Sequence, residues 1–192
     1  MTREKALDLL HSKMQSPNLR KHCYAVETVM RALAKKLEGK TASAELVEAW
    51  GIVGLLHDGD YEFTKEHPEK HAKLMAQWAA EAGETNEEVL TGIESHGWFH
   101  QGKLPKTTMQ WALYCCDELT GFIIAVALVR PDKKLSSVTV ESVIKKWSHK
   151  EFAKGVDRKQ IEMCEEKLGI KLPDFIGIAL KAMQEIANDL GL

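Results

Sequence analysis

The apolar residues of this chain recur at spacings of three and four, which is the period of amphipathic α-helices. Leu19, Val26 and Leu33 lie on one such stripe, and the apolar segment at residues 46–56 keeps the same period. Prolines, glycines and capping residues mark where these elements begin and end, and Asn18, Ser43 and Asn86 are the residues expected at three of the helix starts. The pattern predicts an N-terminal amphipathic helix and further helices at about residues 18–38, 43–57, 68–83, 86–96, 107–130 and 173–189, with another beginning near residue 141.

No β-strand is expected, because apolar and polar residues nowhere alternate with β-branched enrichment over more than about four positions. Residues 137–140 are the most strand-like stretch, and they read better as a helix start. The short loop at residues 132–134 is too small for a linker. We therefore expect an all-α fold with one domain over residues 1–192, in which helices at about 139–190 pack against a core at about 18–130.

Composition and charge limit the kinds of binding partner that we expect for this protein. The net charge of −2 offers no basic surface for nucleic acid or for an anionic membrane. The run Gly121–Val129 is too short to span a bilayer, and the first residues contain no signal-peptide core. The four cysteines form no Cys-x-x-Cys pair, which favours small buried side chains in a reducing compartment. We expect a cytoplasmic protein without nucleic-acid or membrane partners, and the oligomeric state is left open.

Several predicted helices carry one polar residue on the apolar stripe. His57 continues the stripe of Trp50 and Val53, and Asp58 follows where Gly59 should end the helix. One histidine in such a position is usually a hydrogen-bonded core residue, but a whole set is harder to explain in that way. Buried aspartates are rare unless they are paired or coordinated, and no arginine lies at helical spacing. A metal ion is the best candidate partner. The set consists of His22, His57, Asp58, His71, His96 and Asp117.

The chemistry of these donors indicates which ions suit them. Imidazole and carboxylate groups together favour divalent transition metals: Mn²⁺, Fe²⁺, Co²⁺, Ni²⁺ or Zn²⁺. Mg²⁺ is a poorer match for a site so rich in histidine. One or two ions of this class are therefore the expected cofactor.

The order His22, His57-Asp58, Asp117 resembles the HD-domain superfamily of metal-dependent phosphohydrolases, of the uncharacterised HD hydrolase type. His71 and His96 are similar to the additional histidines of its two-metal branch. The resemblance spans about residues 18–130. It implies an all-helical fold, one or two divalent metals and hydrolysis of phosphate esters, mostly of nucleotides.

The resemblance also implies roles for these residues. His22, His57, Asp58 and Asp117 would hold a first metal, while His71 and His96 would hold a second, bridged by Asp58. Asp58 is thereby a catalytic candidate. Asp60 and Glu62 lie just past the ligands, where they could serve as general acid or base, or could simply be solvated loop acids.

Two departures from the family pattern bear on the substrate. Tyr61 stands where many members have a lysine, so phosphate must be contacted by another residue, if at all. The segment after His96 lacks the Gly-Tyr-Pro signature of enzymes that cleave cyclic dinucleotides. We therefore expect a small phosphorylated substrate, most plausibly a nucleotide. Further candidates for contacts with it are aromatic residues for a pocket wall and lysines for the phosphate: Trp98, Phe99, His100, Lys21, Lys65, Lys70 and Lys73.

Three functions are compatible with the sequence. The first is a metal-dependent phosphohydrolase. The second is an oxygenase, because the same ligand set resembles that of the HD-type di-iron oxygenases, which include myo-inositol oxygenase. The third is a non-catalytic helical module that is stabilised by its metal, although degenerate members typically lose a ligand.

Overall fold

The chain is helical from end to end. The computed structural model describes the backbone of residues 1–192 and every side chain except that of Thr41. No described residue lies in a β-strand, which confirms the predicted all-α class. The α-helices are α1 Arg3–Lys13, α2 Pro17–Glu38, α3 Ala44–Leu56, α4 Tyr61–Thr64, α5 Lys73–Glu81, α6 Glu87–Ser95, α7 Trp98–Gln101, α8 Thr108–Leu128, α9 Val140–Trp147, α10 Arg158–Leu168, α11 Leu172–Glu185 and α12 Ala187–Leu190. Short 3₁₀ helices span Gly39–Thr41, Pro68–Lys70 and Leu135–Ser137.

Helices α2, α3 and α8 form the centre of the bundle. Helix α2 packs against α3, α8 and α11, while α10 packs along α8. The C-terminal helices α10 and α11 therefore pack against the central helices. Gly54 allows α2 and α3 to approach closely, because a Cβ atom there would lie 2.9 Å from both the Glu27 Cα and the Val26 carbonyl oxygen.

Capping residues account for most helix starts. The side chains of Ser43 and Asn86 accept from backbone N–H groups of the helices that follow them, as the sequence indicates. Helix α2 is capped by Ser16, with Pro17 in its first turn, so the expected cap at Asn18 was wrong by two residues.

The segment carrying His71 differs from its prediction. Instead of one helix from Pro68 to Gly83, a 3₁₀ turn ends at Lys70 and α5 begins at Lys73. Between them Ala72 has a φ of 65°, so the chain reverses direction there. The physical reason is the hydrogen bonding of His71, whose ring is held by two aspartates rather than lying along a helix.

The C-terminal helix is also interrupted. A single helix was predicted at about 173–189, but α11 ends at Glu185 and α12 starts after Ile186, which has a φ of −115°. No proline or glycine marks this break in the sequence.

Helix α8 is the one described helix that is long and apolar enough to cross a membrane by length and composition. The expectation drawn from Gly121–Val129 considered only part of this 21-residue helix. In the structure, Leu119, Phe122 and Ile123 are fully buried in the bundle. A core helix of a soluble protein meets the same criterion, and the packing of α8 against α2 and α10 fits that role.

Candidate metal centre

Five separate segments bring imidazole and carboxylate groups to one place. His22 comes from the first half of α2, and His57 caps the end of α3. His96 caps the end of α6, and Asp117 lies within α8. Asp58 lies in the turn after α3, and His71 follows the 3₁₀ turn at Pro68–Lys70. The structure thus places all six predicted metal ligands around one centre.

Three donor atoms form the tightest group. His22 Nε2 lies 2.9 Å from Asp117 Oδ1 and 3.2 Å from His57 Nε2. His57 Nε2 lies 3.5 Å from the same Asp117 oxygen. Two imidazole nitrogens and a carboxylate oxygen facing one another at these distances could hold a metal ion.

Asp58 connects this group to the other two histidines. Its Oδ2 lies 3.8 Å from His22 Nε2 and 3.9 Å from His57 Nε2. Its Oδ1 lies 3.1 Å from His71 Nε2 and 3.2 Å from His96 Nε2. One carboxylate oxygen of Asp58 therefore faces each pair of histidines.

The donor atoms that lie within 4.8 Å of one another form two triplets. One is His22, His57 and Asp117, and the other is His57, Asp58 and His96. His71 belongs to neither triplet; its Nε2 lies 3.1 Å from Asp58 Oδ1, and its ring centre lies 5.0 Å from that of His96. The first triplet contains three of the four residues predicted for the first site, whereas the second joins Asp58 and His96 to His57 and not to the predicted His71.

The centre lies at the edge of the core rather than inside it. The His57 side chain is fully buried, but that of His22 is 24% exposed and that of His96 is 16% exposed. A small molecule could therefore reach the centre from the solvent side without displacing core residues.

Hydrogen bonds on the far ring nitrogens orient the imidazoles. His57 Nδ1 donates to the Gly54 carbonyl at 2.7 Å, which leaves Nε2 facing the centre. His71 Nδ1 lies 2.8 Å from Asp60 Oδ1, and Asp60 Oδ2 accepts from the Met75 backbone N–H at 3.0 Å. Such outer hydrogen bonds are typical of histidines that bind metals, because they fix the ring and its tautomer.

The electrostatics keep both carboxyl groups ionised. Burial would raise the pKa of Asp58, but hydrogen bonds from His71 and His96 outweigh it and hold this pKa well below its usual range. Burial is likewise outweighed at Asp117, whose pKa is lowered by His22 and His57. Conversely, burial disfavours charged His71, yet Asp58 and Asp60 raise its pKa to about 9. The cluster therefore concentrates negative charge that draws protons, or a cation, to its histidines.

The two other catalytic candidates, Asp60 and Glu62, do not belong to the groups of donor atoms that could hold a metal ion. Asp60 is fully buried, and both its oxygens accept hydrogen bonds, so it is not a solvated loop acid. Its contacts favour positioning of His71 over the predicted acid or base role. Glu62 Oε2 accepts from the Gln15 backbone N–H at 2.5 Å, between α1 and α2. No described contact links Glu62 to the metal ligands.

The remaining candidates divide into wall and surface residues. His100 lies beside the centre, with its ring 6.5 Å from that of His71. Trp98 packs on Tyr114, and Phe99 is largely exposed. Of the four candidate lysines, Lys65 lines a pocket next to His71.

The other histidines and the cysteines lie outside the centre. His149 is exposed, and His67 precedes the 3₁₀ turn at Pro68–Lys70. His11 is half-buried and forms a hydrogen bond with the Tyr24 hydroxyl at 2.6 Å. All four cysteines are free and buried, in agreement with their predicted role as small apolar residues.

Two threonines near the centre were not predicted. Thr120 Oγ1 lies 3.4 Å from His22 Nδ1, and Thr64 Oγ1 lies 3.3 Å from His71 Nδ1. Each follows an aspartate of the cluster region by one helical turn, Asp117 and Asp60 respectively. That spacing was the available signal, because a residue one turn further along a helix lies on the same face.

No protein-family model, curated protein or solved structure matches this chain. The resemblance to HD-domain proteins therefore stays a prediction.

Proposed function

We propose that this protein is a metal-dependent phosphohydrolase that acts on a small phosphate ester, most plausibly a nucleotide. The observation that supports it is Asp58, whose two oxygens each face a pair of histidines. A carboxylate shared in this way suits two adjacent ions, and pairs of ions are a recurrent device for phosphate-ester hydrolysis.

The chain's own residues supply binding and orientation. His22, His57 and Asp117 would hold the first ion, while His71 and His96 would hold the second, with Asp58 between them. When bound, such ions lower the pKa of water from about 15.7 toward about 7 and neutralise charge on phosphoryl oxygens. Asp60 keeps His71 turned toward Asp58, and the Gly54 carbonyl keeps His57 turned toward Asp117.

The charge of the chain favours a small substrate. The chain carries a net charge of −2, so it has no general attraction for a long polyanion. A single phosphate group can still be bound, because cations at the centre would supply most of the positive charge it needs. Among divalent ions, Mn²⁺, Fe²⁺, Co²⁺, Ni²⁺ and Zn²⁺ match the donor set.

The test combines elemental analysis with phosphate release from mono-, di- and trinucleotides, measured with each of Mn²⁺, Co²⁺, Ni²⁺ and Mg²⁺. We expect bound transition metal and turnover with at least one nucleotide. Asp58→Ala should lose both, because it removes the ligand shared by the two positions. Asp8→Ala, an exposed aspartate on α1, is the matched control and should keep both. Full metal occupancy in Asp58→Ala would contradict the assignment.

An oxygenase would use the same donor set. The deciding measurement is oxygen consumption by the iron-loaded protein alongside the phosphate assay. Oxygen consumption without phosphate release above the Asp58→Ala background would replace the proposed hydrolase with an oxygenase. Metal binding with neither activity would favour the non-catalytic module.

A further inference from the structure

A pocket opens directly beside the second half of the metal centre. It has a volume of about 360 Å³, and one of its walls is His71, whose Nε2 lies 3.1 Å from Asp58. The remaining lining comes from α4, the 3₁₀ turn at Pro68–Lys70 and α7. The lining residues are Tyr61, Thr64, Lys65, Pro68, His71 and His100. A ligand in this pocket would therefore lie next to Asp58 and His71.

The charge of this pocket is positive. No carboxylate is among its lining residues, and Lys65 contributes a full positive charge. The Lys65 side chain is exposed and makes no ion pair with any described residue. Thr64 is already engaged, because its hydroxyl donates to the Asp60 carbonyl and lies close to His71 Nδ1. Lys65 is thus a cation with no acidic partner at the mouth of the centre.

Tyr61 restricts where the Lys65 ammonium group can lie. Lys65 Nζ sits 5.5 Å from the centre of the Tyr61 ring, within the range of a cation–π contact. The same ring stands nearly perpendicular to His71, with the two ring centres 6.0 Å apart. This contact favours Lys65 rotamers whose ammonium group lies near the Tyr61 ring, and both residues line the pocket beside His71.

We propose that Lys65 is the phosphate-binding residue of this protein's substrate pocket, and that it contacts non-bridging phosphate oxygens of a ligand bound at Asp58 and His71. The inference rests on the proposed function and specifies its substrate as a compound with a free, multiply charged phosphate group. A lysine ammonium donates up to three hydrogen bonds and gains most from such an acceptor. A phosphodiester, with one charge and no terminal phosphate, would gain less.

The experiment compares Lys65→Gln with Lys65→Arg and with Lys36→Gln, an exposed lysine near the end of α2. Binding of inorganic phosphate is measured calorimetrically on the metal-loaded protein, and metal content is measured on the same samples. We expect Lys65→Gln to bind phosphate about 10-fold or more weakly, the loss of one charge-assisted hydrogen bond. Lys65→Arg should restore most of the affinity, and Lys36→Gln should match the parent protein. Metal content should be equal in all four.

Kinetics distinguish this inference from the proposed function. If the protein hydrolyses a nucleotide, Lys65→Gln should raise KM for a phosphomonoester by a similar factor and change KM for a diester much less. Phosphate affinity and KM that are unchanged in Lys65→Gln would overturn the role of Lys65 while leaving the hydrolase intact. Lysine-dependent phosphate binding without any hydrolysis would uphold the phosphate site and contradict the hydrolase. Loss of metal in Lys65→Gln would also overturn the inference, since the residue would then be structural.

Discussion

Asp60 shows how one buried side chain can govern a neighbouring ligand. Both of its oxygens are engaged, one by His71 Nδ1 and the other by the Met75 backbone N–H. These two bonds join the turn after α3 to the start of α5. Asp60 therefore sets the direction of His71 toward Asp58, although it does not itself face the centre.

Replacing Asp60 by asparagine should weaken metal binding at the second position. An amide has only one acceptor oxygen, so its NH₂ group must face either His71 or Met75 N–H, and one of the two bonds is lost. We expect about 10- to 100-fold weaker binding there, which is typical when an outer hydrogen bond to a ligand is removed. Calorimetric titration with elemental analysis should show one ion retained by the group of His22, His57 and Asp117.

The control for this change is Glu62→Gln, since Glu62 bonds the Gln15 backbone and not a ligand. It should leave the metal content unaltered. If Asp60 instead acts as general acid or base, Asp60→Asn will keep both ions while the pH profile of turnover loses one limb. That result would restore the role first predicted for it.

Among the helices, the pair α2 and α3 sets the distance between His22 and His57. Gly54 lies opposite Val26 and Glu27, where a Cβ atom would meet backbone atoms at 2.9 Å. Backbone cannot move aside as a flexible side chain can. The close approach of these two helices is therefore a condition for the 3.2 Å separation of the two imidazole nitrogens.

Gly54→Ala should both destabilise the protein and weaken metal binding. Forcing a methyl group into this contact should lower the free energy of unfolding by about 1–3 kcal/mol. The matched control is Gly121→Ala in α8, where a Cβ atom meets nothing within 4 Å, and which should raise stability by about 0.5–1 kcal/mol. Urea unfolding of the metal-free variants measures the change in the free energy of unfolding for Gly54→Ala and for Gly121→Ala. If the two variants were equally stable, α2 and α3 would be able to move apart without a loss in the free energy of unfolding.

Helix periodicity explains why part of the centre could be predicted. His22 and Asp117 lie inside long helices, and His57 and His96 at the ends of helices, so their spacing from apolar neighbours reports the face on which they lie. His71 lies beside Asp58, but it follows a 3₁₀ turn and is not part of the predicted helix. Its conformation depends on Asp60, a contact between residues eleven positions apart that no local period encodes.

The helix boundaries that were predicted wrongly share a similar cause. The break between α11 and α12 at Ile186 carries no glycine or proline, so it reflects packing rather than local sequence. The shift of the α2 cap from Asn18 to Ser16 reflects two neighbouring residues that are both good caps. Asp60 was predicted to lie in a solvated loop or to act in catalysis because sequence could not show its burial.

In the whole molecule, stability and metal binding are linked through the charge of the centre. In the metal-free protein Asp58 faces His71 and His96, and the neighbouring carboxylates raise the pKa of each of these histidines against the effect of burial. His71 has a pKa of about 9, raised from 6.5 by Asp58 and Asp60 against the effect of burial. A group whose pKa is raised on folding stabilises the native state fully below its unfolded pKa and loses that effect as pH rises through its folded pKa.

The metal-free protein should therefore lose stability between pH about 6.5 and about 9, measured by thermal unfolding in the presence of a chelator. In the metal-loaded protein, the additional stability that the bound metal provides should instead increase as pH rises. Metal binds neutral imidazole, so binding releases the protons and tightens as pH rises. At a free metal concentration 100-fold above Kd the increment is about 2.7 kcal/mol. His71→Gln should flatten the fall in the metal-free protein, and an unchanged profile in that variant would show that another group governs the pH dependence.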